Sequence, residues 1–161
     1  MMMIFWDAMS LMILVYWALP AVLLCATREP VYAWLCIALV ASQLLMKFLH
    51  HGVRVFHPVM ERPSDAMNCS ILNRGGCYKG RNGMPSGHVT TTTFVLLAIF
   101  VCLCRTITGP RVWWLGAAVG TLIALMCASR YYRKCHNLHQ IAAGLALGCV
   151  LTAGFVRLVP A

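Results

Sequence analysis

Acidic residues are almost absent from this chain. It has four aspartates and glutamates against 13 lysines and arginines, so its formal net charge is +9. Charged residues of both signs make up 11% of the sequence, whereas soluble domains average about 25%. Together with a hydrophobic content of 61%, this excludes an ordinary soluble domain and indicates a membrane protein.

The basic balance restricts the ligands that the chain can recognise. An anionic lipid or a phosphate group fits a basic membrane protein. Nucleic acid is disfavoured, because the basic residues lie in loops between apolar runs and lack the interleaved aromatic residues of a nucleic-acid-binding surface. We therefore expect phosphorylated lipid and membrane lipids as partners, and no nucleic acid.

Metal-binding motifs are also missing, although the chain has nine cysteines and six histidines. Six of the cysteines lie in apolar runs, where we expect small core residues. Cys69, Cys77 and Cys135 fall in polar loops without the spacing of a zinc knuckle, and His50 and His51 have no carboxylate at ligand spacing. We expect neither a metal nor another cofactor. A disulfide between Cys69 and Cys77 is compatible with a loop that faces an oxidising compartment.

Five long apolar runs divide the chain, and we interpret each as a transmembrane helix. A polar loop over residues 50–87 separates the second run from the third. Its prolines and glycines argue against regular structure, and a loop of this length is usually functional. We predict an all-α integral membrane protein, with residues 1–161 forming one domain. The five predicted spans are residues 1–26, 31–49, 89–104, 112–128 and 138–158.

The order of the spans predicts a topology. Counting crossings places the N-terminus, the long loop and the loop after the fourth span on one side, so His88 and His136 face the same water layer. Most basic residues lie on that side, which indicates the cytosol by the positive-inside rule. A phosphate site would need the same cations, so the orientation stays open. A multi-pass protein of the endoplasmic reticulum or another internal membrane is compatible with these features.

Glycine spacing predicts where the helices approach one another. Gly116 and Gly120, and likewise Gly144 and Gly148, are each separated by three residues within an apolar run. Small residues at this spacing allow membrane helices to pack closely. We expect both pairs to lie at helix–helix contacts.

Three short polar motifs carry the chemistry. Arg62-Pro63 lies within the long loop, Pro85-Ser86-Gly87-His88 closes it, and Ser129-Arg130 is followed by His136 and Gln140. Open N–H groups at a helix start favour an anion, and a serine hydroxyl beside them adds a donor. Two imidazoles and two guanidiniums suit a phosphate dianion.

This set resembles the signature of the type 2 phosphatidic acid phosphatase (PAP2) superfamily of membrane lipid phosphatases, K-x6-R-P, P-S-G-H and S-R-x5-H-x3-D. The resemblance covers about half of the chain, and the second motif is intact. Two positions depart from it: Gln140 stands in place of the usual aspartate, and Val55 in place of the lysine. Arg54 is one residue out of register and is our preferred substitute for that lysine, with Lys79 and Arg81 as rivals.

The resemblance implies a role for each motif residue. His136 would be the nucleophile, forming a phosphohistidine, and His88 the general acid. Gln140 would orient His136 through a neutral hydrogen bond, unless Glu61 or Asp65 supplies the missing carboxylate. The superfamily works without a metal. The expected phosphate-binding residues are Arg54, Arg62, Ser86, Gly87 and Arg130.

The glutamine also bears on the substrate. Gln140, followed by a helix of small residues, is similar to the dolichyl diphosphatase branch. Cleavage of a diphosphate releases a phosphate-type leaving group, which demands less of the nucleophile. We therefore predict hydrolysis of a polyprenyl or dolichyl diphosphate. The alternatives are a broad lipid monophosphatase acting on phosphatidate, and a non-enzymatic lipid-binding membrane protein with a degenerate site.

Overall fold

In the computed structural model, the described residues are 2–56, 61–64, 66, 69 and 82–159. These residues contain no β-strand, and only Glu61 and Asn82 form an isolated antiparallel bridge. The prediction of an all-α protein is therefore confirmed. The five helices are α1 (Met2–Thr27), α2 (Pro30–Phe56), α3 (Gly87–Cys104), α4 (Pro110–Tyr132) and α5 (Leu138–Leu158).

Four of the helices are long and apolar enough to cross a membrane. They are the part of α2 from Pro30 to His51, and the whole of α3, α4 and α5; α1 contributes a shorter apolar stretch, Leu11–Thr27. Large apolar side chains such as Phe48 and Val150 are exposed on the outer surface, as expected for helices that face lipid. The architecture is that of an integral membrane helix bundle.

Helix α3 is the centre of the bundle and contacts the other four helices. Its side chains from Val89 to Leu96 are all buried, which fits a helix that is apolar or small on every side. Two of its hydroxyl groups have partners nearby: Thr90 Oγ1 donates to the Ser86 carbonyl at 3.0 Å, and Thr91 Oγ1 accepts from Gln43 Nε2 at 2.7 Å. The hydroxyl oxygens of Thr92 and Thr93 are buried without a hydrogen bond to any described residue. The helix that begins at the second motif is thus held from all sides.

The closest helix approach is between α3 and α5. A Cβ atom on Gly144 would lie 2.9 Å from the Ser86 carbonyl oxygen, and one on Gly148 would lie 2.6 Å from Thr93 Cβ. The prediction of close packing at this glycine pair is confirmed. Because Ser86 belongs to the second motif, the contact at Gly144 also fixes that motif against α5.

The other glycine pair does not make such a contact, so the prediction for it is wrong. A Cβ on Gly116 would lie 3.5 Å from Phe100 Cζ, which is ordinary van der Waals contact. A Cβ on Gly120 would meet no described atom within 4 Å. The spacing permits a close approach, but α3, which carries Phe100, stays at ordinary contact distance from Gly116.

Helix α2 is longer than the sequence indicated. The predicted span ends at residue 49 and the loop begins at residue 50, whereas α2 continues to Phe56. The residue before a proline disfavours the helical conformation, and His57 precedes Pro58, so the helix ends there. Arg54 therefore lies on the last turns of α2 and not in the loop, and its side chain lies outside the described residues.

The cysteine pairing also differs from the expectation. Cys69 is bonded to Cys135, with a Cα–Cα distance of 5.4 Å, so a Cys69–Cys77 disulfide is excluded. The two bonded cysteines are 66 residues apart, and their proximity is created only when the loop folds back onto the end of α4. Cys77 itself lies outside the described residues. The six cysteines of the apolar runs are free, as expected, but the prediction that they are core residues is wrong: two are exposed and the other four are only half-buried.

Candidate active site

Helix α4 shows how deep the three motifs lie in the membrane. Trp113 and Trp114 are exposed near its start, and Tyr131 and Tyr132 are exposed at its end. The rise from the tryptophans to the tyrosines is about 27 Å, close to the hydrocarbon thickness of about 30 Å. Exposed aromatic residues are typical of the two membrane interfaces. His136 comes four residues after Tyr132, which indicates a position near one interface.

A surface pocket opens at this level, with a volume of about 320 Å³. The nucleophile predicted from the sequence, His136, forms part of its wall, together with two tyrosines and a lysine. A lipid whose head group lies in water and whose chain lies in the bilayer can reach such a pocket. Its lining residues are Pro63, Tyr131, Tyr132, Lys134, His136 and Asn137.

The three sequence motifs meet at this point. Arg62 Nη1 of the first motif donates to the Cys135 carbonyl at 3.3 Å and lies 3.4 Å from His136 Nε2. The Ser86 N–H of the second motif donates to the Gln140 carbonyl at 3.0 Å. Residues more than 50 positions apart in the sequence are therefore in direct contact.

The hydrogen bonds of Gln140 determine which nitrogen of His136 carries its proton. The Asn137 N–H can only donate and lies 3.3 Å from one side-chain atom of Gln140, so that atom is Oε1. The other atom, Nε2, donates to the Glu61 carbonyl at 3.1 Å. His136 Nδ1 lies 3.1 Å from the same Oε1 and must donate to it. His136 Nε2 therefore keeps its lone pair and faces Arg62.

The surroundings of His136 also keep its ring neutral. The side chain is buried, and burial lowers its pKa well below the usual range. The charges of Arg62 and Arg130 lower the pKa further, while hydrogen bonds to Gln140 and to the Gly83 backbone act in the opposite direction. A neutral imidazole with a fixed lone pair on Nε2 is the form required of a nucleophile.

Two other predicted site residues carry buried polar atoms that lack a partner. Ser86 Oγ and His88 Nε2 are both buried and make no hydrogen bond with any described residue. Ser86 occupies the N-cap position of α3, yet its side chain does not cap the helix. Gly87 is the first residue of that helix, where backbone N–H groups are open. Buried polar atoms of this kind mark a place for a ligand or water.

The two predicted arginines lie beside these groups. Arg130 is buried in the last turn of α4, and its Nη2 donates to the Cys69 carbonyl at 2.8 Å. Arg62 is half-buried and contacts His136. His88 is close enough that the charges of Arg130, His136 and Arg62 act on it. The structure thus puts Arg62 against His136 and brings His88 within electrostatic reach of His136 and both arginines.

The remaining predictions have different outcomes. Glu61 is exposed, and the group it brings to His136 is its main-chain carbonyl, acting through Gln140. The side chain of Arg54 and all of Asp65, Lys79 and Arg81 lie outside the described residues. Over the ranges that are described, no group of three histidine, cysteine or acidic side chains is placed to hold a metal ion.

Sequence reasoning missed two residues that hold the second motif in place. His50 has its Nε2 2.8 Å from the Pro85 carbonyl oxygen. Asn82 donates through Nδ2 to the His50 carbonyl at 3.1 Å and accepts from the Met84 N–H at 2.9 Å. These bonds attach the second motif to the end of α2. Nothing in the sequence near His50 indicates this contact.

Asn137 was missed as well, although the sequence carries a signal for it. Its side chain accepts from the Gln140 N–H at 3.0 Å, and the Gln140 side chain accepts in return from the Asn137 N–H. This is a capping box, which an asparagine three residues before a glutamine at a helix start predicts. It fixes the position of the Gln140 side chain, whose Oε1 also contacts His136 Nδ1.

Comparison with known proteins gives the family. Neither the curated proteins nor the solved structures contain a match to the chain. The family model of the PAP2 superfamily matches residues 31–161, which include helices α2 to α5 and all three motifs. This match covers well over half of the sequence and agrees with the resemblance of the motifs, so the chain belongs to the PAP2 superfamily.

Proposed function

We propose that this protein hydrolyses a polyprenyl or dolichyl diphosphate in the membrane, through a phosphohistidine at His136. Membership of the PAP2 superfamily implies phosphatase activity on lipid-like phosphate esters. The observation that carries the proposal is the pair of contacts made by the His136 ring: Nδ1 lies 3.1 Å from Gln140 Oε1, and Nε2 lies 3.4 Å from Arg62 Nη1.

The proposed reaction has two displacement steps. His136 Nε2 attacks the terminal phosphorus, forming an N–P bond, while the bond to the bridging oxygen breaks and His88 donates a proton to the departing lipid phosphate. Water then attacks the phosphohistidine, His88 accepts its proton, and the N–P bond breaks to release phosphate. Arg62 and Arg130 stabilise the charge on the phosphoryl oxygens, and Gln140 holds the imidazolium.

The choice of a diphosphate follows from the neutral partner of His136. The carboxylate usual at this position stabilises the imidazolium that forms, whereas the amide of Gln140 supplies a hydrogen bond without charge. A nucleophile whose imidazolium form is less stabilised suits a substrate whose leaving group departs easily. The structure adds a reason for the amide, because Gln140 Nε2 donates to the Glu61 carbonyl and a carboxylate has no proton for that bond.

Phosphate release by the purified protein in detergent tests the function. We expect faster release from a polyprenyl diphosphate than from phosphatidate, and we expect both rates to survive excess EDTA, because the nucleophile is a side chain. Loss of activity on EDTA with rescue by magnesium or zinc would contradict the histidine mechanism. A preference for phosphatidate would favour the monophosphatase, and no release from any lipid would favour the non-enzymatic protein.

Acidic substitutions at Gln140 test the substrate argument. In Gln140→Asp and the length-matched Gln140→Glu, a carboxylate would stabilise imidazolium, so the phosphatidate rate should rise several-fold relative to the diphosphate rate. A carboxylate also raises the pKa of His136, so the acid limb of the rate–pH profile should move to higher pH. Gln140→Leu removes the acceptor and should lower both rates. An unchanged ratio in both acidic variants, with full activity in Gln140→Leu, would remove Gln140 from the chemistry.

Substitution of Gly83 tests whether catalysis depends on the close packing around His136. A Cβ at this position would lie 2.7 Å from Arg62 Cγ and 2.8 Å from Gln140 Oε1, so Gly83→Ala must displace one of these side chains. We expect kcat/KM to fall about 10- to 100-fold while the helix bundle stays folded. Gly154→Ala is the matched control, because its Cβ would meet no described atom within 4 Å. Equal activity of the two variants would show that the site tolerates this displacement.

A further inference from the structure

We propose that the Cys69–Cys135 disulfide is a positioning element of the catalytic site, because it holds its own two main-chain carbonyls against the guanidiniums of Arg130 and Arg62. Breaking the bond should therefore weaken phosphate binding and turnover while the helix bundle remains folded. The inference rests on the proposed function only in the roles given to the two arginines.

Both half-cystines contact a catalytic arginine directly, in a crossed arrangement. The carbonyl of Cys69, in the loop, accepts from Arg130 on α4 at 2.8 Å. The carbonyl of Cys135, just after α4, accepts from Arg62 in the loop at 3.3 Å. Each arginine is thus oriented by the cysteine of the opposite segment, and the disulfide is the covalent bond that keeps the two segments together.

The same bond bears on the nucleophile. Cys135 immediately precedes His136, and the N–H groups of both residues donate to the Arg130 carbonyl, at 3.1 Å and 3.4 Å. A shift of Cys135 therefore moves His136 relative to Arg130. One covalent bond thus relates the positions of the nucleophile and both arginines.

The disulfide is separate from the packing that holds the bundle together. Cys69 and Cys135 are buried with Ala66 in a small cluster of their own. The main hydrophobic core is formed by side chains of the helices and shares no residue with this cluster. Loss of the bond should for this reason affect the loop and the end of α4 much more than the bundle.

Chemical reduction of the Cys69–Cys135 disulfide would remove the covalent link between the loop and the end of α4. A dithiol reductant supplies two electrons and two protons, so the S–S bond breaks to give two thiols and the reductant becomes a cyclic disulfide. The loop carrying Cys69 is then held near Arg130 only by noncovalent contacts. Arg62 and Arg130 should spend less time around the phosphate position, where Ser86 and His88 complete the site.

The experiment compares Cys69→Ser, Cys135→Ser and the double variant with Cys127→Ser, which replaces a free cysteine of α4. Inorganic phosphate is the probe, and its affinity is measured by calorimetry with and without dithiothreitol. We expect the three disulfide variants to bind phosphate about tenfold more weakly and to lose about 10- to 100-fold in kcat/KM. Wild type and Cys127→Ser should fall to the same level on reduction, and the double variant should not respond.

The rate–pH profile adds a readout that a purely structural bond would not move. Arg62 and Arg130 lower the pKa of His136, while Gln140 and the Gly83 backbone raise it. If the arginines move away, the pKa of His136 rises, so the acid limb of the profile should move to higher pH in the disulfide variants. Among the described residues, Tyr131, Tyr132 and Lys134 line the same pocket as His136, and the charge of His136 acts on His88. Measuring the profile in the His88→Ala background removes the contribution of His88.

Two results would overturn the inference. One is unchanged phosphate affinity in reduced wild-type protein that still elutes as a folded species. The other is a loss of phosphate binding that occurs only with loss of the folded species, which would make the bond a fold-stabilising crosslink. Phosphate binding is measured without lipid turnover, so failure of the diphosphatase proposal leaves this test intact.

Discussion

Replacing His136 by alanine should lower phosphate release from a polyprenyl diphosphate by at least about 10⁴-fold, the loss typical when a covalent nucleophile is removed. The Nε2 lone pair that attacks phosphorus in the proposed mechanism is lost in this variant. The fold should persist, because α5 is still capped by Asn137.

The matched control is His139→Ala. His139 is three residues away on the first turn of α5, but it is exposed and lies outside the cluster of motif side chains. It should retain normal activity. Brief incubation with ³²P-labelled substrate, followed by denaturation at alkaline pH, should trap an acid-labile phosphoenzyme in wild type and in His139→Ala only. Near-normal turnover in His136→Ala would show that the nucleophile lies elsewhere.

The second large effect is expected at Arg130, whose side chain is 1% exposed. Arg130→Leu should lower kcat/KM about 10²- to 10³-fold, as does the removal of a main donor to a developing oxyanion. Arg130→Lys keeps the charge, but an ammonium lacks the planar fork that can donate to the Cys69 carbonyl and a phosphoryl oxygen together. We expect it to recover only a small part of the lost rate.

Arg157→Leu is the control for this pair of variants. Arg157 is exposed in the last turn of α5, at the opposite end of that helix from His136. Its replacement should leave kcat/KM unchanged while altering the net charge by the same amount as Arg130→Leu. Full activity in Arg130→Lys would show that charge alone suffices at this position, and a similar loss in Arg157→Leu would point to a general electrostatic effect.

Local sequence features predicted much of the fold because they reflect local physical constraints. Long apolar runs require helices in a membrane, so the five helices could be placed, with α2 ending later than expected. Gly144 and Gly148 were correctly assigned to a close contact, whereas Gly116 and Gly120 were not. The spacing is the same in both pairs, and only the distance to the neighbouring helix distinguishes them.

The site was predictable in part for a similar reason. Motif residues such as Arg62, His88 and His136 stand out as polar groups beside apolar runs. The residues that make supporting contacts do not stand out in this way, because those contacts depend on main-chain atoms that every residue has. His50 holds the second motif through the Pro85 carbonyl, and no residue type marks a carbonyl as an acceptor.

The amino-acid sequence by itself determined that this is a helical membrane protein with a PAP2 signature, because hydrophobic length and motif order are properties of the chain alone. The tertiary structure decided the cysteine pairing, since Cys69 meets Cys135 only after the loop folds back. The tertiary structure also decided the tautomer of His136, because the Glu61 carbonyl and the Asn137 N–H approach Gln140 from opposite ends of its amide.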